Sequence, residues 1–357
     1  MAFSLRSSGR SNYAYAVARV QAKRSKLIPA GEYAKVLKMD VAEITRFIEE
    51  SAYKTEVDEL ASRFTGLDLL EAALTVNEER TYQSVRQMVS GPGGELVALF
   101  LGRYLVEDVK TVLRGKTAGA TRDELLKELL LEDLDTFGMF QPLLSDDVQG
   151  VEGVMAAMES QGGAAREWAH VLRKVPPGSS LARYEDALDK AQYGRLLASL
   201  EASDQVGAPQ VLEFVRREVD TVNLLNAARW VAAKETGDFS AFVIPGGKHL
   251  KVAQVMALAR AGSLDAFAEA LKESKLYDQV KDGLEAARAS GRLAPFQAAV
   301  WRAHMADLDK LAHIHPLSIV PILVFLIRKH REVVTLRAIA RGKAAGLSEA
   351  RLGELVL

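Results

Sequence analysis

Apolar residues recur at three- and four-residue intervals through residues 67–90, 95–116, 181–203, 208–235, 249–272 and 317–343. That spacing gathers them on one side of an α-helix, so each segment is predicted helical. Asp40-x-x-Glu43 and Thr121-x-x-Glu124 have the form of capping boxes that open helices. Breaks fall at Gly91-Pro92-Gly93-Gly94, Pro176-Pro177-Gly178 and Pro245-Gly246-Gly247, where a donor is lost or unusual dihedrals are required. Clean two-residue alternation between turn signals is scarce. The predicted fold class is all-α, with strands minor or absent. The most apolar stretch, Ile319 to Ile327, is nine residues long, contains Pro321 and runs into Arg328. A membrane-spanning helix needs about 20 apolar residues, so this one is predicted to be a buried helix.

The pattern also repeats. Residues 105–119 (LVEDVKTVLRGKTAG) align with 332–346 (EVVTLRAIARGKAAG). Arg114-Gly115-Lys116 meets Arg341-Gly342-Lys343, and Ala118-Gly119 meets Ala345-Gly346. Downstream, Thr121 meets Ser348 and Leu125 meets Leu352. A weaker third copy is 220–231 (DTVNLLNAARWV), where Asn223-Leu224 matches Asp108-Val109 and Thr335-Leu336, and Arg229 matches Arg114 and Arg341. The copies lie 115 and then 112 residues apart. Common solenoid periods are roughly 20 to 50 residues, so the spacing predicts a triplicated helical bundle, divided at 1–140, 141–262 and 263–357.

On a helix, Val106, Val109 and Leu113 form one stripe, with Val333, Leu336 and Ala340 in equivalent places. Arg103, Glu107, Lys110 and Arg114 form the neighbouring stripe, matched by His330, Val334, Arg337 and Arg341. One face is thus predicted to pack and the adjacent one to present cations, which makes Arg103, Lys110, Arg114, Arg229, Arg337 and Arg341 the candidate partner-binding residues. The competing explanations are a solvated helix face and the macrodipole, which favours cations at a helix C-terminus by about 0.3–1 kcal/mol. On the partner-binding reading, changing Lys110, Arg114, Arg337 and Arg341 together to Glu is expected to leave the fold intact.

Composition narrows the chemistry. The chain has 357 residues, 48% of them hydrophobic, and a net charge of −1 from 46 basic against 47 acidic groups. It has no cysteine, which removes thiol nucleophiles, disulfides and cysteine-ligated metals. The charge balance argues against bulk nucleic-acid binding. Gly115-Lys116, Gly247-Lys248 and Gly342-Lys343 lack the remaining elements of a phosphate-binding loop. Glu167-x-x-His170 has the spacing of one arm of a di-iron bundle but no second arm. His313-x-His315 before Pro316 reads as a bend, and Asp146 is expected to cap the next helix. No cofactor, metal, small-molecule substrate or catalytic residue is assigned. The opening MAFSLRSSGR lacks an apolar core and a small-residue cleavage site, so no secretory signal is expected and the protein is predicted soluble or peripheral.

Asn12-Tyr13-Ala14-Tyr15-Ala16-Val17-Ala18-Arg19-Val20, then Ala22 to Ile28, Tyr33, Leu37 and Tyr53, resemble the first helical hairpin of the C subunit of the archaeal-type (A/V-type) rotary ATP synthase. The d subunit of the vacuolar ATPase belongs to the same family. The repeated Asn-Leu…Arg helix is its second mark, complete here only as Asn223-Leu224 with Arg229. The likeness covers essentially the whole chain. It implies a three-lobed helical funnel with pseudo-threefold symmetry and no active site of its own. It implies a rotor part on the cytoplasmic face of the cell membrane, seated on the proteolipid ring, with its mouth receiving axle subunits D and F. Such a part passes torque during ATP synthesis or proton or sodium transport. The cationic stripes are candidates for the faces lining the central opening or for the face toward the ring. Two alternatives stand beside this: a helical scaffold binding another protein or nucleic acid through the stripes, and an all-α enzyme with a site assembled from distant residues.

Overall fold

The computed structural model describes residues 12–129 and 138–353. The chain is all-α: the described residues form 18 α-helices and no strand. They pack as two compact units. The inserted unit is Met155–His315, and the split unit takes in the residues up to Val154 together with those from Pro316 onward. In chain order the helices are α1 (Tyr13–Arg24), α2 (Tyr33–Val36), α3 (Val41–Glu49), α4 (Lys54–Leu60), α5 (Gly66–Met88), α6 (Pro92–Ala118), α7 (Arg122–Glu128), α8 (Phe140–Leu143) and α9 (Gly150–Gln161). Then follow α10 (Gly163–Arg173), α11 (Leu181–Glu201), α12 (Ala208–Ala232), α13 (Val252–Ala259), α14 (Leu264–Leu271), α15 (Tyr277–Ser290) and α16 (Ala294–Ile314). The chain closes with α17 (Val320–Ala344) and α18 (Glu349–Gly353).

The periodic segments form helices within a few residues of the predicted ends, with one exception. Residues 249–272 break into α13 and α14. Gly262 there takes φ +68°, and Ser263 Oγ accepts the Ala266 N–H at 3.1 Å, restarting the helix as an N-cap. Both expected capping boxes form, Asp40 with Glu43 and Thr121 with Glu124. Asp146 departs from expectation. Its Oδ1 accepts the Arg122 N–H at 3.2 Å, so it serves the start of α7, two helices before the one it was expected to cap.

In the split unit, α17 packs along α5, and α1 and α3 also touch both helices. The core joins Ile44, Ile48, Leu70 and Leu74 from the N-terminal side to Leu336 and Ile339 of α17. Every residue from Val320 to Ile327 is buried, as its all-round apolar sequence requires. In the inserted unit, α12 is the central helix, contacted by α11, α13, α14 and α16, while α15 and α16 pair as a hairpin. Phe267 meets Phe296 edge-on, ring centroids 5.9 Å apart, an arrangement the ring quadrupoles favour.

Candidate functional site

The three repeat copies lie in the long helices α6, α12 and α17, and all three end alike. Gly119, Lys234 and Gly346 take positive φ, of 78°, 53° and 74°. Immediately after each, an N–H reaches five residues back: Ala120 to the Gly115 carbonyl at 2.8 Å, Glu235 to Trp230 at 3.1 Å and Leu347 to Gly342 at 2.9 Å. This is the Schellman termination, which satisfies carbonyls orphaned at a helix end. The three left-handed residues stand in the 115- and 112-residue register of the sequence repeat. The outer copies share more. A Cβ on Gly115 would lie 2.3 Å from Leu125, and one on Gly342 would lie 2.2 Å from Leu352. In both, a short following helix lays its leucine on a helical glycine.

Equivalent positions play equivalent parts. Val109, Leu224 and Leu336 are buried, as are Leu113, Ala228 and Ala340. Asp108, Asn223 and Thr335 are buried polar residues. Asn223 has a defined task. Its Nδ2 donates to the Ile244 carbonyl at 2.7 Å and its Oδ1 accepts the Ile244 N–H at 2.9 Å. One turn earlier, Asp220 accepts the His249 N–H at 2.7 Å and the Leu250 N–H at 3.0 Å. Burial raises the Asp220 pKa, and those two N–H donors oppose the rise. Together the two side chains fasten the Pro245-Gly246-Gly247 loop to α12. The Asn of the Asn-Leu…Arg mark is therefore a loop clamp in this chain.

Arg114, Arg229 and Arg341 are all exposed, and the candidate cations differ in what each one touches. Arg341 holds Glu71 of α5 and also Glu128 at the end of α7, the latter at 2.5 Å. The Glu71 contact raises its pKa. Arg337 donates to Thr75 Oγ1 at 2.7 Å. Two turns back along α17, His330 meets Glu78 at 2.9 Å. Glu71, Thr75 and Glu78 follow three- and four-residue steps on α5, so the three polar members of this stripe, His330, Arg337 and Arg341, each meet a residue of a neighbouring helix. Lys110 is buried and pairs with Glu107 at 2.7 Å. The Arg103 guanidinium sits 3.8 Å over the Phe100 ring. Arg114 donates to Thr111 Oγ1 at 3.3 Å. Reversing Lys110, Arg114, Arg337 and Arg341 together would set a glutamate at 341 against Glu71 and Glu128 and a second acid beside Glu107 in the buried place of Lys110. That variant is therefore predicted to destabilise the split unit, contrary to the expectation of an intact fold.

A buried polar cluster lies behind this seam. Glu332 accepts from Tyr53 Oη at 2.7 Å, from the Ile28 N–H at 2.5 Å and from Lys329 Nζ at 3.0 Å. The Lys329 ammonium also sits 3.8 Å over the Tyr53 ring. Burial lowers the Lys329 pKa while Glu332 opposes the shift, and burial drives Tyr53 and Tyr82 well above the usual phenol range. The N-terminal residues that carried the resemblance serve the same unit. Asn12 bridges to the Met88 carbonyl and the Ser90 N–H, both at 2.9 Å. Tyr13 packs where a side chain on Gly93 would lie, 2.7 Å from the missing Cβ. These partners are remote in sequence, so no local spacing could reveal them; the Lys329-x-x-Glu332 step was the one legible hint.

The family model described as ATP synthase (C/AC39) subunit matches residues 16–355. The chain belongs to the ATP synthase (C/AC39) subunit family. It is similar to the C subunit of the A-type ATP synthase of Methanosarcina mazei, with 33% identity over 343 residues, covering 96% of this chain and 91% of that protein. The protein of the same name from Haloferax volcanii is 34% identical over 355 residues, covering 98% and 99%. A third, from Halobacterium salinarum, is 32% identical over 355 residues, with the same coverage. In this C/AC39 member, no helix among the described residues is long and apolar enough to cross a membrane. Among the same residues, no group of three or more His, Asp or Glu is gathered as a metal site. Glu167, of the Glu-x-x-His pair, instead lies 3.5 Å from Arg195. His313 meets its own helix's Asp309 carbonyl at 2.8 Å.

Proposed function

We propose that this chain is the non-catalytic rotor subunit that joins the central axle to the proteolipid ring of an A-type ATP synthase and passes torque between them. Family membership across nearly the whole chain carries this reading. The chain would stand on the cytoplasmic face of the membrane, with axle subunits D and F and the ring as partners and with no substrate of its own. The repeat divides it into 1–140, 141–262 and 263–357, arranged as three bundles around an axial funnel. The matched C-terminal ends of α6, α12 and α17 support that division. Close-packed helices suit a coupling element because a packed interior yields little under load. Arg114 and Arg229, exposed at matching helix ends, are the candidate cations best placed to meet a partner, and such contacts would add register and salt sensitivity more than affinity.

Two experiments test this. A tagged chain recovered from native membranes should bring subunits D and F and the ring with it; recovery without synthase subunits would overturn the assignment. Cross-linking the chain to the ring should leave ATP-driven ion pumping intact, whereas cross-linking it to a stationary part of the complex should stop it. Equal activity in both cross-linked forms would sink the rotor role.

A further inference from the structure

A groove of about 820 Å³ runs between α10 and α11 in the inserted unit. Its α11 wall is made of small residues, Ala191, Gly194 and Ala198, at three- and four-residue steps along one helix face. Gly194 stands well inside a 21-residue helix. After proline, glycine is the poorest helix former. At two other helical glycines the fold supplies a reason: a Cβ would lie 2.3 Å from the Ala299 Cβ at Gly283 and 2.2 Å from Leu352 at Gly342. At Gly194 a Cβ would meet nothing within 4 Å, and its φ is not in the left-handed region. No contact within the described chain uses the missing side chain. Close approach from outside would use it, because small residues let the ridge of a second helix settle near the backbone.

The groove is also charged in one sense. Arg166, Lys174 and Arg195 line it against a single acid, Glu167, which Arg195 already holds at 3.5 Å. The Arg195 guanidinium is steadied 4.2 Å over the Trp168 ring, so it is placed in advance of any partner. A polyanion such as RNA would need the cations but would have no use for a floor of small residues. A helix with an acidic face uses both.

We propose that the α10–α11 groove receives an acidic α-helix of another subunit of the same complex, packed backbone-close at Gly194. This rests on the synthase reading above. Because the chain has no cysteine, Gly194→Cys places a unique thiol in it. In the complex purified from native membranes, that thiol should react with N-ethylmaleimide about ten-fold more slowly than in the free chain, as for a group inside a water-excluding contact. Arg166→Glu with Arg195→Glu should restore the fast rate. Carbodiimide treatment of the unsubstituted complex should join Lys174 to an aspartate or glutamate of a partner helix. Gly194→Leu should unfold at the same or a higher temperature yet enter the complex about ten-fold less. Equal thiol reactivity in the free and assembled chain, or normal assembly of Gly194→Leu, would overturn the groove while leaving the synthase reading in place. Protection abolished by nuclease would assign the groove to nucleic acid and overturn it too. A chain that co-purifies with no synthase subunit removes both readings together.

Discussion

Glu332 of α17 is 5% exposed and Lys329 is 3% exposed, so each charge depends on the other and on the hydrogen bonds around it. Removing one partner of a buried pair leaves an uncompensated charge, which costs about 3–5 kcal/mol. Glu332→Gln is accordingly expected to lower stability by about 3 kcal/mol in urea unfolding, and Lys329→Met in the same chain to recover much of the loss. The phenols set a pH limit. Tyr53 and Tyr82 hold their protons well above the ordinary value of about 10 in the folded chain, but release them near that value when unfolded. Above about pH 10 the unfolded chain therefore binds fewer protons, and stability falls as pH rises. Lys329, whose folded pKa is lowered, works in the opposite direction over the range below its usual value, and two phenols outweigh it at the alkaline end. The urea midpoint should drop between pH 10 and 11.5, and Tyr82→Phe should flatten the slope.

At the scale of elements, helix ends separate the three copies. Gly119 and Gly346 take the left-handed conformation without penalty, whereas Lys234 carries a Cβ there, at about 1–2 kcal/mol. Lys234→Gly should stabilise the protein by about 0.5–1 kcal/mol once the greater freedom of unfolded glycine is subtracted. The loop clamp on α12 predicts the reverse. A Cβ on Gly247 would lie 2.2 Å from Asp220 Oδ1 and 2.9 Å from the Leu250 carbonyl. Neither neighbour can swing away without breaking the clamp, so Gly247→Ala is expected to cost about 1–3 kcal/mol, read as a lower thermal midpoint. Helix positions, capping boxes and the Arg-Gly-Lys register were all legible in the sequence because each is governed by residues within a few positions. The seam of Glu71, Thr75 and Glu78 with Arg341, Arg337 and His330 was not. Its partners stand more than 250 residues apart, and nothing in either stripe names the other.

For the whole molecule, the pairing found in the split unit changes which cations serve as probes. Arg341 is tied to two acids and Lys110 is buried, so neither reports cleanly on a partner. Arg114→Glu with Arg229→Glu acts at positions on the helix exterior; burial lowers the Arg229 pKa while Asp186 opposes the shift, so the variant should lower the unfolding free energy by no more than about 1 kcal/mol. The same variant should reduce assembly into the synthase, most visibly at low salt where exposed charges are least screened, since rim charges govern encounter and register. Normal assembly at every salt concentration would return these arginines to the role of helix-end charges.

The sequence alone determined that the chain is helical, where its long helices lie, that one helical end recurs three times, and which family it joins. Those properties depend on side-chain periodicity, capping and glycine placement, all of which act over a few bonds or turns. Tertiary structure decided that Met155–His315 packs as a unit of its own while the flanking segments pack together. It also decided that the C-terminal cations are spent on α5, that Asn223 clamps a loop, and that Gly194 faces open space. Such pairings form when distant helices exclude water from a shared face. The free energy of that burial belongs to both surfaces at once, so neither stretch of sequence contains it.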